Sequence, residues 1–178
     1  MRRSIIGAMV VAAALSVSMC GGDDNPTGPS NSGPLVFTAA LSGANEVPAI
    51  TGNEANGRGN ATVTINVPRD ASGNPTGGGT ANFSAQITGL PGGTNIILGH
   101  IHEAVAGVNG TVRVNTDLSA ASPFALDNSG NGNLVFNDKA VAADVAQRIF
   151  ANPAGFYVNF HSTANPGGVV RGQLTRVQ

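Results

Sequence analysis

From Ala61 to Val67 every second side chain is apolar. Ala61, Val63, Ile65 and Val67 fall on one side, and Thr62, Thr64 and Asn66 on the other. Residues 80–88 repeat the pattern, with Ala81, Phe83, Ala85 and Ile87 sharing a face. A period of two belongs to a strand with one buried face and one wet face, and an α-helix cannot use it. Residues 70–79, rich in Gly, Asn and Pro, read as the long turn of an antiparallel hairpin between the two runs.

The rest of the chain after residue 34 follows the same plan. Strand candidates cover 35–41, 95–103, 111–114, 133–136, 156–162 and 169–177, separated by turn clusters such as 107–110. Residues 43–59 form a polar loop around Asn45-Glu46-Val47-Pro48. Only residues 139–150 break the pattern. There Val141, Val145 and Ile149 recur at intervals of four, with Ala142 and Phe150 alongside, which predicts one amphipathic helix. Asp138 is its expected N-cap, and Asn152-Pro153 its stop. About eight strands with one inserted helix predict an all-β domain, an antiparallel β-sandwich.

Composition narrows the function. Charged residues are 11% of the chain, against about 25% in an average soluble domain. The formal net charge is −1. Without residues 1–19, and so without Arg2 and Arg3, 7 basic residues face 10 acidic ones, a net of −3. The basic residues are scattered singly, so nothing argues for nucleic-acid binding. There is no phosphate loop, dinucleotide fingerprint or nucleophile elbow. Carboxylates are too sparse for a glycosidase pair. With no Trp and a single tyrosine, Tyr157, an aromatic carbohydrate platform is not expected.

The N-terminus predicts export. Arg2 and Arg3 precede an apolar run from Ile5 to Val17, the charge-then-apolar order of a secretory signal, and the run is short for a permanent span. Val17-Ser18-Met19-Cys20 resembles the lipobox of bacterial lipoproteins, although Met19 is larger than the small residue usual there. The resemblance implies a signal peptide over 1–19 and a lipidated Cys20. Residues 20–34 would then be a flexible tether, with the folded domain over 35–178. The protein would sit on the periplasmic or cell-surface face, held to a membrane through Cys20. The other reading is cleavage near Ser18 with a free exported thiol. Cys20 is the sole cysteine, so the domain must hold itself by packing, without an internal disulfide.

The three histidines are the candidate site. His100 and His102 stand in Gly99-His100-Ile101-His102-Glu103. Residues two apart on a strand point the same way, with Cα atoms roughly 6.5 Å apart. His161 shares a strand face with Tyr157 and Asn159. If the two strands are neighbours, three imidazoles converge, a donor set that suits copper or zinc. The alternative is a hydrogen-bonded polar network with Glu103, Tyr157 or Arg171. Glu46 is a further polar candidate, as a salt-bridge partner of Arg171, a neighbour of the histidines, or a solvated loop charge.

Three motifs carry a family resemblance. They are Phe37-Thr38-Ala39-Ala40-Leu41-Ser42-Gly43-Ala44-Asn45-Glu46-Val47-Pro48, then Gly99-His100-Ile101-His102 with Gly107 and Gly110, then Tyr157-Val158-Asn159-Phe160-His161-Ser162 followed by Asn165-Pro166-Gly167-Gly168 and Arg171-Gly172-Gln173-Leu174. From about residue 35 to 176 the chain resembles the CHRD domain, first described in chordin. Ala49 stands where a second proline is common. The resemblance implies an extracellular β domain and no established reaction. The order of His100, His102, His161 and Arg171 is also similar to that of copper-zinc superoxide dismutases, where such histidines hold copper and such an arginine guides the anion. The fourth, bridging histidine, the zinc loop and its disulfide are absent, so an intact dismutase is not implied. Two expectations follow: a lipid-anchored binding or structural domain of the cell envelope, its protein partner unnamed, or a mononuclear copper or zinc protein.

Overall fold

A computed structural model describes residues 33–177. The expected signal segment, Cys20 and all but the end of the tether lie outside the described residues. Among the described residues ten strands and one α-helix follow in the order β1 (Leu35–Ser42), β2 (Arg58–Asn66), β3 (Gly79–Thr88), β4 (Asn95–Glu103), β5 (Thr111–Asn115), β6 (Phe124–Ala125), β7 (Gly132–Val141), α1 (Ala143–Ala151), β8 (Phe156–Ser162), β9 (Val170–Gln173) and β10 (Thr175–Arg176). All pairings are antiparallel. The eight longer strands lie in the order β5-β4-β8-β9-β1-β2-β3-β7. The end strands β5 and β7 pack against each other, so the sheet curls into a nearly closed, sandwich-like body. The chain crosses between the two halves at β3–β4, β6–β7 and β7–β8, which is how a Greek key places sequence-distant strands side by side.

The alternation reads directly into the core. Ala61, Val63 and Ile65 of β2 and Ala81, Phe83, Ala85 and Ile87 of β3 are buried, and Ala61 stands opposite Ala85, Val63 opposite Phe83 and Ile65 opposite Ala81. Val67 falls just beyond the strand and is only partly buried. Leu35, Phe37, Phe160, Ile101 and Val158 fill the middle, and each such side chain contributes about 1.5–3 kcal/mol on burial. Gly172 sits where β9 meets β1. A Cβ there would run into the carbonyl of Ala40, so a side chain would force this seam apart.

The helix begins later than its periodicity predicts. Lys139, Ala140 and Val141 remain in β7, opposite Ala81, Thr80 and Gly79, and α1 covers Ala143–Ala151. Val141 is buried as a strand residue, so its spacing to Val145 mimics a helical face without sharing one. Asp138 is not the N-cap. It takes a positive φ of 57° beside the register shift between Ala81 and Phe83, and its N–H donates to Asn82 Oδ1. Ala142 occupies the N-cap without a side-chain bond, and Asn152 ends the helix as expected, its N–H donating to Arg148 O. Val145, Ala146 and Ile149 form the buried face.

Strand β8 positions the site. Every residue from Phe156 to Ser162 is buried. Phe156, Val158 and Phe160 face the apolar core, so by alternation Tyr157, Asn159 and His161 face the other way. That second face is polar yet hidden from water. Burying polar groups is costly unless they find partners, and such a face calls for a structural or functional reason.

Candidate functional site: a buried histidine face

Antiparallel pairing of β4 with β8 brings the histidines together. His100 stands opposite Asn159, His102 opposite Tyr157, and Leu98 opposite His161. Across β8 and β9, Asn159 stands opposite Arg171. All three imidazoles are 6–8% exposed. Each offers one nitrogen to a common space, and those nitrogens lie within 4.8 Å of one another.

Hydrogen bonds set the protonation of two rings. His102 Nδ1 lies 2.9 Å from the carbonyl of Gly110, and His161 Nδ1 lies 2.9 Å from the carbonyl of Pro166. A carbonyl only accepts, so both Nδ1 atoms carry the proton and both Nε2 atoms are bare. His161 Nε2 lies 3.2 Å from His100 Nδ1, which donates to it. His102 Nε2 is buried and has no partner. Burial pushes His100 down to about 4, aided by the neighbouring His161 and His102. His102 is lowered by burial, against the Gly110 hydrogen bond, and by Arg171. His161 is lowered by burial, against the Pro166 bond, and by His102. The cluster is therefore neutral and lone-pair rich, the state in which imidazole binds metals.

Arg171 and Tyr157 back the cluster. The Tyr157 ring stacks on His102 with centroids 4.9 Å apart and planes within 4°. The Arg171 guanidinium lies over the Tyr157 ring, 4.8 Å from its centroid. Arg171 also ties down the loops above. Its Nη1 donates to Asn109 Oδ1 (2.9 Å), its Nε donates to Asn45 O, and its own carbonyl accepts from Asn45 Nδ2 (3.0 Å). Asn109 in turn donates to Val47 O, and Gly110 N–H donates to the Tyr157 hydroxyl. The loop that holds His102 is thus pinned by Arg171 and Tyr157 together.

Glu46 completes the face. Its Oε2 is 3.8 Å from Arg171 Nε, a loose pair in which both side chains are almost wholly buried. Glu46 Oε1, Asn159 Oδ1 and Arg171 Nη2 all lack hydrogen-bond partners. Burial raises the Glu46 carboxyl to about 7, only partly countered by Arg171. Open clefts of about 490 and 340 Å³ flank Glu46 and Val47, so the polar face lies one loop away from solvent.

Of the residues singled out in the sequence, His100, His102, His161, Tyr157, Arg171 and Glu46 converge. Glu103 does not. Its carboxylate pairs with Arg113 (2.7 Å) and Arg148 (2.9 Å), because alternation turns it away from His102 and toward α1. Gly110 and Pro166 entered the sequence reading only as motif residues, Asn159 only as a face neighbour of His161, and Asn109 and Glu54 not at all. The first two act through backbone carbonyls, which carry no residue-type signal; a buried asparagine or glutamate looks like a surface one until the fold encloses it.

A family model described as the CHRD domain matches residues 37–174. No curated protein matches the chain, and no solved structure does.

Proposed function

This chain belongs to the CHRD domain family, and from that premise we propose that its buried histidine face binds a single transition-metal ion, copper or zinc. One observation carries the reading. Two imidazoles are fixed by backbone carbonyls with their Nε2 lone pairs turned inward, and that of His102 has no partner in a buried setting. Leaving a buried acceptor unsatisfied costs about 1–3 kcal/mol. An ion that took the lone pair would remove that cost. In tetrahedral zinc sites the metal–nitrogen distance is about 2.0–2.1 Å, which puts ligand nitrogens roughly 3.3 Å apart. His100 Nδ1 and His161 Nε2 are 3.2 Å apart, and with the His100 proton moved to its Nε2 the full set, within 4.8 Å, closes by side-chain adjustment. Three neutral imidazoles suit copper as well as zinc. Tyr157 and Arg171 serve as the outer support that orients a ligand ring.

Titration calorimetry with copper and with zinc tests this, using the wild type, His100→Ala and His161→Ala. The expected result is one ion per chain, with binding lost in both variants. A folded wild type that takes up neither ion overturns the reading and leaves the histidines as a hydrogen-bonded cluster, for which the 3.2 Å His100–His161 contact would be the basis.

We also propose that the domain works outside the cytoplasm, held to a membrane through Cys20. The support is Arg2 and Arg3 before an apolar run and the lipobox-like Val17-Ser18-Met19-Cys20. Replacing Cys20 with Ser should move the protein from the membrane fraction to the soluble one. Unchanged partitioning would sink the anchor.

A further inference from the structure

Glu54 lies on none of the histidine strands and is more than one hundred residues from His161 in sequence, yet it is buried and aimed at the segment that follows β8. Ser162, the residue after His161, donates its hydroxyl to Glu54 Oε2 at 2.6 Å. Asn165 donates its side-chain amide to the same oxygen. The Asn165 N–H donates to Ser162 Oγ (2.9 Å), and the Asn165 carbonyl accepts from the N–H groups of Ser162 (3.3 Å) and Gly168 (3.1 Å). One carboxylate oxygen therefore gathers both ends of a tight turn. The next residue in that turn is Pro166, whose carbonyl receives the His161 Nδ1 proton.

We infer that Glu54 is the positioning residue for His161: by bracing the turn from Ser162 to Asn165, it holds the Pro166 carbonyl where it fixes the imidazole with Nε2 bare and turned toward His100. The physical case rests on the weakness of the alternative. Residues 162–168 form an irregular turn, and Pro166 has no N–H of its own to anchor it. A charged acceptor receiving two hydrogen bonds is among the stronger local restraints available. Nothing else among the described contacts ties Asn165 to the body of the fold at a distance in sequence. His102 is braced separately, through Gly110, Tyr157 and Arg171. The two rings therefore depend on two independent supports, and loss of one should leave the other in place.

The consequence for an ion rests on the metal reading, but the orientation of His161 does not, and the experiment separates them. Long-range proton–nitrogen NMR of the metal-free protein reads the tautomer of each histidine. The wild type is expected to show His161 and His102 protonated at Nδ1. In Glu54→Ala, His161 should move to a mixture with a substantial Nε2-protonated share, while His102 keeps its signal and so reports an intact fold. Ser162→Ala, which removes the middle hydroxyl without disturbing a charge, should cause a smaller shift in the same direction. Glu54→Gln, which keeps an oxygen acceptor in place, should retain the wild-type tautomer. An unchanged His161 in both Glu54→Ala and Ser162→Ala overturns the inference. Copper titration of the same proteins then reads the consequence: Glu54→Ala should bind about 10–100-fold more weakly than wild type. A wild type that binds no copper removes the metal reading and leaves the tautomer result to decide the role of Glu54. A Glu54→Ala protein that binds copper as tightly as wild type, with His161 unshifted, removes the positioning role alone.

Discussion

Arg171 has three jobs on one side chain: it lies over Tyr157, ties down the loops that carry Asn45 and Asn109, and faces Glu46. Removing it leaves a buried carboxyl group without a counterion and takes a donor from three loop acceptors, Asn45 O, Val108 O and Asn109 Oδ1. Arg171→Met should cost about 3–5 kcal/mol in urea unfolding. Adding Glu46→Gln should return part of that loss, and a strictly additive double variant would mean that the pair is uncoupled. The histidines make a pH prediction with a definite sign. His100 is near 4 in the folded protein and about 6.5 when unfolded, so the unfolded chain binds its proton first as the pH falls. Its contribution is complete above about 6.5 and is lost as pH falls toward 4. Glu46 acts oppositely, its contribution complete below about 4.5 and lost as pH rises through 7. The two contributions oppose each other over much the same range, so the drop is read in Glu46→Gln, whose urea midpoint should fall between pH 6.5 and 4, and adding His100→Gln should flatten that drop. A midpoint that is level across this range in Glu46→Gln would contradict the burial of neutral imidazoles.

Elements show why β2 and β3 were easy to read and α1 was not. In β2 and β3 one face meets the core and one meets solvent, so residue type alternates with geometry. In β8 both faces are buried, one apolar and one polar, and the alternation survives only because the polar face carries Tyr, Asn and His. In β7 and α1 the apolar residues Val141 and Val145 belong to two different elements that pack on one core, and a four-residue spacing across the junction imitates a helix. The seam between β9 and β1 gives an element-scale test. Gly172→Ala would drive a methyl into the Ala40 carbonyl, and overpacking of this kind costs about 1–3 kcal/mol. Because Arg171 is the neighbouring residue, the same substitution should disturb the Tyr157 stack. Retained stability in Gly172→Ala would mean that this seam yields easily.

For the whole molecule, the proposed ion should stabilise the fold that assembles its ligands. The three histidines come from β4 and β8, which meet only when the Greek-key crossings are in place, so the unfolded chain offers no comparable site. At a free metal concentration one hundred times the Kd, linkage adds about 2.7 kcal/mol. For a domain of this size each kcal/mol shifts Tm by roughly 2–4 °C. Copper or zinc should raise Tm by several degrees, a chelator should reverse it, and His161→Ala should abolish it. A rise that persists in His161→Ala would place the ion elsewhere.

Alternation, turn residues and the three motifs were sufficient by themselves for an all-β fold and for its family, and they singled out the three histidines that the structure brings together. These are local properties, set by which residues can sit on a half-buried pleat and which can turn a chain. Tertiary structure decided the rest. It turned Glu103 out to Arg113 and Arg148, drew Glu46 in toward Arg171, and brought Glu54 under the turn behind His161. A carboxylate carries the same letter whether solvated or enclosed. Its role depends on which charges and donors the long-range strand pairing places around it, and no local pattern encodes that enclosure.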